Sequence, residues 1–405
     1  MLSALATEAG LDVGGGGVRR TSSRFCLGVE HGDYNGTELF GVGTDRFLWL
    51  AWRANDSGRV RLASANFPAD GVVDFAPGNV PPPRSPAIAD TWARFPFGVD
   101  YVLRRAGLPT ARGFDAVLFG DIPGGGMSRS ASLAINLILT VLEANGLTGV
   151  DGMRVVDLAQ AVENDYIGSP CGVLDQTMIY FARAGMGTHY RPADRSIDYV
   201  PLGAGAPDFR LVSLDTGTVR PGLEKSTYRV RRAECEEAVA RIREREPIAN
   251  LAELTDPARW RRIDAWLRAT QPHLADRVQY IHEAQLRFPR LLAAWRAGDV
   301  ATVGELFRAD GHGLRDRYRI SGPELEAMCD IARTVPGVLG ERMLGGGDKG
   351  ASGAIVLAGA VEALRAAVAR EYPLRCPEFA DRFAVHACAL VDGVTVLPGL
   401  DSAHR

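Results

Sequence analysis

The stretch GDIPGGGMSRSASL at residues 120–133 limits most strongly what this chain can become. Residues 114–120 (FDAVLFG) carry the β-branched and aromatic bias of a strand, and from Ser130 onward SASLAINLILTVLEANG is apolar and rich in Ala and Leu for about four helical turns. A glycine-rich turn therefore joins a strand to a helix. Gly124, Gly125 and Gly126 let the backbone approach an anion without Cβ clashes, the helix start offers free N–H groups and a favourable dipole, and the nearby serine hydroxyls can reach a metal. Such turns also serve packing alone, so this stretch by itself leaves both readings open. No Gly-Lys-Ser/Thr closes it and no spaced G-x-G-x-x-G is present, which excludes a Walker loop and a dinucleotide fingerprint.

At 405 residues with 46% hydrophobic side chains, the chain has material for two domains or one large bilobed unit. A formal net charge of −3 with mixed signs gives no nucleic-acid footprint. There is no run of about 18 apolar residues, and the first fifteen residues lack the basic and apolar regions of a signal peptide, so a soluble, cytoplasmic protein without membrane partners is expected. Six cysteines (Cys26, Cys171, Cys235, Cys329, Cys376 and Cys388) form no C-x-x-C pair, which points to buried small hydrophobes rather than a zinc site or disulfide framework.

Residues 1–23, with four glycines at 14–17, read as a flexible lead-in, because no strand precedes the glycines and no periodic helix follows them. At residues 24–36 Arg24, Glu30, His31 and Asp33 flank a short apolar run and enter an Asp-Tyr-Asn-Gly turn. Two carboxylates and an imidazole on one turn suit a polyhydroxylated ligand, since carboxylates accept paired hydrogen bonds from neighbouring hydroxyls. Each of these side chains, His31 above all, equally suits a structural place. Residues 63–94 are dominated by Pro, Asp and Gly and read as loop, and the aromatics of 92–103 suit core packing at least as well as ligand contact.

Residues 155–165 have helical periodicity and carry Glu163; the GSPCG turn at 168–172 ends that helix, and Asp175 follows near the start of another. Two carboxylates thus stand on either side of a tight turn, although Asp175 alone also suits a helix-start cap. Residues 209–218 read as a strand ending in a turn, 228–245 as a solvated charged helix, 344–353 (LGGGDKGASG) as a second glycine loop before a strand, and 383–391 as a final strand. Helices and strands that do not strictly alternate argue for an α+β bilobed enzyme with its site between the lobes.

Residues 24–36 resemble the signature R-x-N-L-I-G-E-H-T-D-Y-N-G of galactokinase-like members of the GHMP small-molecule kinases, matching at Arg24, Glu30, His31, Asp33, Tyr34, Asn35 and Gly36. Further matches follow in the family's order: the glycine loop at 124–132, ENDYIGSPCGVLDQ at 163–176, YRVRRAECE at 228–236 and RMLGGGDKGASG at 342–353. The resemblance spans residues 24–391. It implies a two-lobed fold, with a ribosomal protein S5 domain 2-like N-terminal lobe over 24–205 and a ferredoxin-like C-terminal lobe over 206–395, followed by a tail at 396–405. It also implies an ATP- and Mg²⁺-dependent sugar 1-kinase, a monomer or weak homodimer. Carried over by position, Asp175 takes or orients the sugar hydroxyl proton with Arg24 beside it. Glu30, His31, Asp33, Gly172 and Tyr228 meet the sugar, Gly124, Gly125, Gly126, Ser128, Arg129, Ser130, Ala131 and Ser132 meet the nucleotide, and Ser130 with Glu163 holds Mg²⁺.

Three departures bear on the substrate. Gly32 replaces the family's threonine, suggesting more room near the sugar; Arg129 interrupts its serine triplet; and Asp348 with Lys349 inserts two charges beside the expected phosphate site. Galactose or a related hexose is the leading substrate. An arabinose, uronic acid, amino or modified sugar, or a non-catalytic sugar sensor, is the alternative.

Overall fold

In the computed structural model, which describes residues 1–219 and 226–400, two sheets meet across a cleft. The first half of the chain runs α1 (Leu2–Ala9), β1 (Gly17–Gly28), β2 (Leu39–Ala54), β3 (Val60–Ser64), β4 (Val72–Phe75), α2 (Arg94–Arg105), β5 (Phe114–Gly120), α3 (Arg129–Ala144), α4 (Gly152–Ala161), α5 (Leu174–Tyr180), β6 (Met186–Arg191) and β7 (Ser196–Pro201). The second runs β8 (Phe209–Asp215), α6 (Thr227–Arg243), α7 (Pro257–Thr270), α8 (Pro272–Ala297), α9 (Val300–Gly313), α10 (Pro323–Arg333), β9 (Val338–Met343), β10 (Ala351–Leu357), α11 (Val361–Arg375), β11 (Ala384–Cys388) and β12 (Val394–Leu397).

The eight-stranded sheet has the order β12-β1-β2-β5-β3-β4, with the β6–β7 hairpin paired to β2. Helices α2, α3 and α4 bury Val99, Ile135, Ile138, Val155 and Leu158 against Leu50, Ala116 and Leu118 of its strands. The four-stranded sheet has the order β11-β8-β10-β9 and is covered by α10 and α11 through Ile331, Leu364 and Val368. With α6 to α9 set aside as an insertion, β8-α10-β9-β10-α11-β11 is a βαββαβ unit, the ferredoxin-like lobe expected. The inserted helices fill the space between the sheets. Phe25 of β1, Ile281 and Trp295 of α8, Phe307 of α9 and Ile355 of β10 belong to one buried cluster, and the Phe25 and Phe307 rings stack at 5.5 Å.

Two sequence expectations are corrected. Residues 1–23 are not a flexible lead-in: Ala6, Leu11, Val13 and Val18 are buried against Ala51 and Val117, and β1 already runs from Gly17. The glycine run masked the strand start, and the strand itself (VRRTSSR) shows little hydrophobic alternation. Several of its polar side chains are nonetheless buried and partnered, as where Arg19 pairs with Glu143 of α3 and donates to Thr140 Oγ1 at 3.1 Å. Nor is β11 the last strand. Part of the expected tail forms β12, which pairs antiparallel with β1 from Val18↔Leu397 to Thr21↔Val394. The rest of that tail, 401–405, lies outside the described residues. No helix among the described residues is long and apolar enough to cross a membrane.

Candidate active site

The cleft between the sheets has a volume of about 480 Å³, with a polar arm and an apolar one. The polar arm begins on β1. Arg24, 1% exposed, sends Nε and Nη2 to one oxygen of Asp175, Oδ1, at 2.9 and 2.7 Å, and Nη1 to the carbonyl of Gly126 at 2.8 Å. One guanidinium therefore ties the acidic residue at the start of α5 to the glycine loop. Because both contacts fall on Oδ1, Asp175 Oδ2 has no partner among the described residues, on a side chain that is 31% exposed and lines the cleft.

Behind Arg24 the charges alternate into the protein. Glu30 lies 3.6 Å from Arg24 and 3.3 Å from Arg342 of β9. Arg342 also donates to the Cys26 carbonyl at 2.8 Å and pairs with Asp310 of α9, which meets Arg287 of α8 at 3.2 Å. Burial raises the Glu30 carboxyl, and the two guanidiniums and the Gly345 N–H pull it back toward the ionised form. Arg342 opens the matched stretch 342–353 without a role of its own in the sequence, and Asp310 and Tyr280, whose hydroxyl donates to the Glu30 carbonyl at 2.8 Å, are not marked there because their partners are distant along the chain.

Asp33 has two structural bonds. Its Oδ1 accepts from Tyr34 N and its Oδ2 from Leu174 N, each at 3.1 Å, so it holds the first turn of α5 that presents Asp175. Gly172 is required by this contact, since a Cβ there would lie 2.0 Å from Asp33 Oδ2. His31 sits at a positive φ of 60°, its Nδ1 2.9 Å from the Tyr34 hydroxyl, which in turn is 2.8 Å from the Tyr318 hydroxyl. The His31 ring also lies 5.1 Å from that of Tyr228 at the wall of the cleft. Gly32 does not open the sugar site: its missing Cβ would point at Thr37 Oγ1, 2.0 Å away.

The glycine loop closes the polar arm. Gly124 is open, with no atom of the described residues within 4 Å of a Cβ placed there, whereas a Cβ on Gly125 would lie 2.5 Å from the Gly350 Cα. The second glycine loop thus buttresses the first. Ser128 adopts a left-handed conformation (φ 63°), rare for a residue with a side chain, and its buried hydroxyl has no partner among the described residues. Ser130 donates to Glu163 Oε2 at 3.1 Å, and Gln176 donates to Oε1 at 3.1 Å.

The expected helix carrying Glu163 continues past Ala161 as a π-helix over Val162–Ile167, a local widening frequent at functional sites, and ends at Gly168. Two expectations for these loops are corrected. Ser132 is not free for a nucleotide, because its N–H bonds the Ser128 carbonyl and its hydroxyl meets Thr21 Oγ1 at 2.7 Å in the core; the Ala131 side chain is equally buried. Asp348 and Lys349 face away from the cleft: Asp348 accepts from Thr227 N at 2.7 Å at the start of α6, and Lys349 pairs with Glu324 at 2.9 Å.

Burial, and next the charge of Asp175, push the Glu163 carboxyl up to about 7. A carboxyl whose folded value is raised favours the fold most while protonated, and that contribution is lost as pH rises through the raised value. From the ordinary 4.5 to about 7 the loss is on the order of 3 kcal/mol. The stability of the free protein relative to its Glu163→Gln variant is therefore expected to fall across that window in denaturant titrations. A pH-independent difference would exclude the shift.

The apolar arm is lined by Leu48, Leu118, Leu133, Phe67, Trp92 and Phe95. Phe67 and Trp92 come from the stretch read as loop. Aromatics amid Pro, Asp and Gly were the one available signal.

The GHMP kinases N terminal domain family matches residues 96–183. The galactokinase of Exiguobacterium sibiricum is 32% identical over 351 residues, 86% of each chain, and that of Lacticaseibacillus casei 32% identical over 84% of this chain and 85% of its own. This chain belongs to the galactokinase family. Its fold agrees with that of a family structure, Lactococcus lactis galactokinase complexed with galactose, at a TM-score of 0.86 and 29% identity over 98% of this chain and 99% of that one. The mevalonate kinase of Methanococcus jannaschii, 14% identical, shares the fold at a TM-score of 0.62 over 94% and 99% of the two chains. Galactokinase-family membership makes the chain a kinase with the two-lobed GHMP fold.

Proposed function

We propose that this protein transfers the γ-phosphoryl group of ATP to the anomeric hydroxyl of galactose or a hexose with the same hydroxyl pattern. The observation that carries the reading is the double contact of Arg24 with Asp175 Oδ1, which leaves Oδ2 without a partner among the described residues, on a side chain that lines the cleft beside a glycine loop held by the same arginine. The sugar hydroxyl donates to Oδ2, its oxygen bonds to the γ-phosphorus as the bond to ADP breaks, and the proton passes to Asp175. Positioning supplies most of the effect, because a phosphoryl transition state asks for alignment and charge compensation more than for a strong base. Arg24 supplies part of that compensation.

Glu30, His31, Asp33 and Tyr228 lie together on the cleft wall where the sugar would sit, and the galactose in the Lactococcus relative supports that sugar. The apolar arm takes the base of ATP, and the open N–H groups around Gly124 and Ser128 take its phosphates. Ser130 and Glu163 fit Mg²⁺ that arrives with the nucleotide: one hydroxyl and one carboxylate are too few for a resident ion, and no group of three or more His, Cys, Asp or Glu among the described residues could hold one. When bound, Mg²⁺ offsets charge on the transferring phosphate and relieves the buried Glu163 carboxylate. Six unpaired cysteines suit the reducing cytoplasm where ATP is supplied.

The test is ADP release with MgATP across aldoses, uronic acids and amino sugars. Galactose is expected to dominate. Turnover confined to a uronic acid or an amino sugar would overturn the substrate, and absence of turnover with every sugar would overturn the activity.

A further inference from the structure

The other arginines in and around the cleft are committed to protein groups. Of those lining it, Arg24 is held by Asp175 and Glu30 and Arg94 donates to the Ala89 carbonyl at 3.2 Å; behind its wall Arg342 is held by Glu30 and Asp310, and Arg232 by Glu236 and the Cys171 carbonyl. Arg129, the first residue of α3, differs. Among the described residues it makes no hydrogen bond and no ion pair, yet it lines the cleft and is only partly exposed. Its guanidinium carbon stands 5.8 Å from the centroid of the Phe67 ring. Among the described residues the carboxylate acting on it is that of Asp215, whose Oδ1 already accepts from Gly217 N at 2.9 Å. Burial lowers the pKa of Arg129, but a guanidinium stays charged, so the cost of desolvating it is met only when an anion arrives.

Two neighbours say which anion. On one side is the phosphate cradle, with the open Gly124 and the unpartnered hydroxyl of Ser128; on the other is Phe67 of the apolar arm. The guanidinium therefore stands at the junction of the two arms, where the diphosphate next to a nucleoside must pass. We infer that Arg129 is a protein-borne cation for the nucleotide diphosphate, which gives this enzyme an affinity for ADP and ATP that does not depend on the divalent ion. The inference rests on the assignment of the cleft to ATP, and extends it. Where serine occupies this position, a hydroxyl offers one neutral hydrogen bond; arginine offers a planar fork suited to phosphate oxygens. Tighter hold on ADP and slower product release are the consequence.

Calorimetric binding of ADP and of adenosine in EDTA, to the wild type, Arg129→Ser and Arg129→Lys, tests this. Loss of a charge-assisted contact should weaken ADP ten- to a hundredfold in Arg129→Ser, leave adenosine unchanged, and be partly restored in Arg129→Lys. Wild-type ADP binding should also fall more steeply with salt than that of Arg129→Ser. ADP affinity within twofold of wild type in Arg129→Ser would overturn the inference. Equal losses for ADP and adenosine would also overturn it, since they would mean that Arg129 only props Phe67. The two readings fail separately: Arg129→Ser that binds ADP normally and still phosphorylates galactose removes the inference alone. A wild type that turns over no sugar while its ADP affinity depends on Arg129 removes the kinase assignment alone.

Discussion

Asp175→Asn is expected to lower kcat by about 10²- to 10⁴-fold, the usual contribution of a positioned acid–base group, while sugar affinity changes only a few-fold. The geometry supplies the reason for choosing asparagine. Its carbonyl oxygen can still accept from Arg24 in the place of Oδ1, so the guanidinium keeps its aim and its bond to the Gly126 carbonyl, and the chief loss is the proton acceptor at Oδ2. Alanine would instead leave Arg24, 1% exposed, with Glu30 at 3.6 Å as its remaining carboxylate, mixing a structural defect into the kinetics. Single-turnover assays with calorimetry of galactose binding separate the two effects. A kcat within tenfold of wild type would remove Asp175 from the chemistry.

The second large effect is expected at Arg342, which touches no substrate. Arg342→Met leaves Asp310 with its partner Arg287 and strips Glu30 of one of its two guanidiniums, in surroundings almost closed to water. Removing one partner from a buried charge pair typically costs about 3–5 kcal/mol, because the charge left behind stays buried. Denaturant unfolding should register that loss, and Arg342→Met combined with Glu30→Gln should recover part of it, since the double variant removes both charges of that pair. The galactose KM should rise as well, because Glu30 at the cleft wall loses its anchor. A destabilisation under about 1 kcal/mol would show that the alternating charges contribute little.

The legible parts of this protein were those whose cause is local. Residues 114–120 form β5 with the expected bounds, and an apolar, Ala-rich run after the glycine loop forms α3, because strand bias, helix periodicity and turn chemistry each act over a few neighbours. Direction was not legible. Asp348 and Lys349 sit in a glycine loop that touches the first one through Gly350, yet both side chains leave the site for Thr227 and Glu324. Asp33 stands beside Tyr228 on the cleft wall and at the same time braces α5, and its residue type is right for either role. Buried charge was invisible for a related reason. Arg19 and Arg342 resemble surface residues when read along the chain, and they are interior because Glu143, Glu30 and Asp310 come to meet them from elsewhere.

The pairing of β12 with β1 bears on how such a protein is made. The strand that carries Arg24 is flanked by β2, made directly after it, and by residues 394–397, made long after it. On a ribosome, the first sheet can therefore assemble on one side while its other edge waits for β12, and long-range closures of this kind are the slow ones. Arg342 arrives late too. The lobe that holds Arg24 cannot be completed as an early, self-sufficient unit of synthesis, and in the interval an unpaired edge lies open to wrong partners.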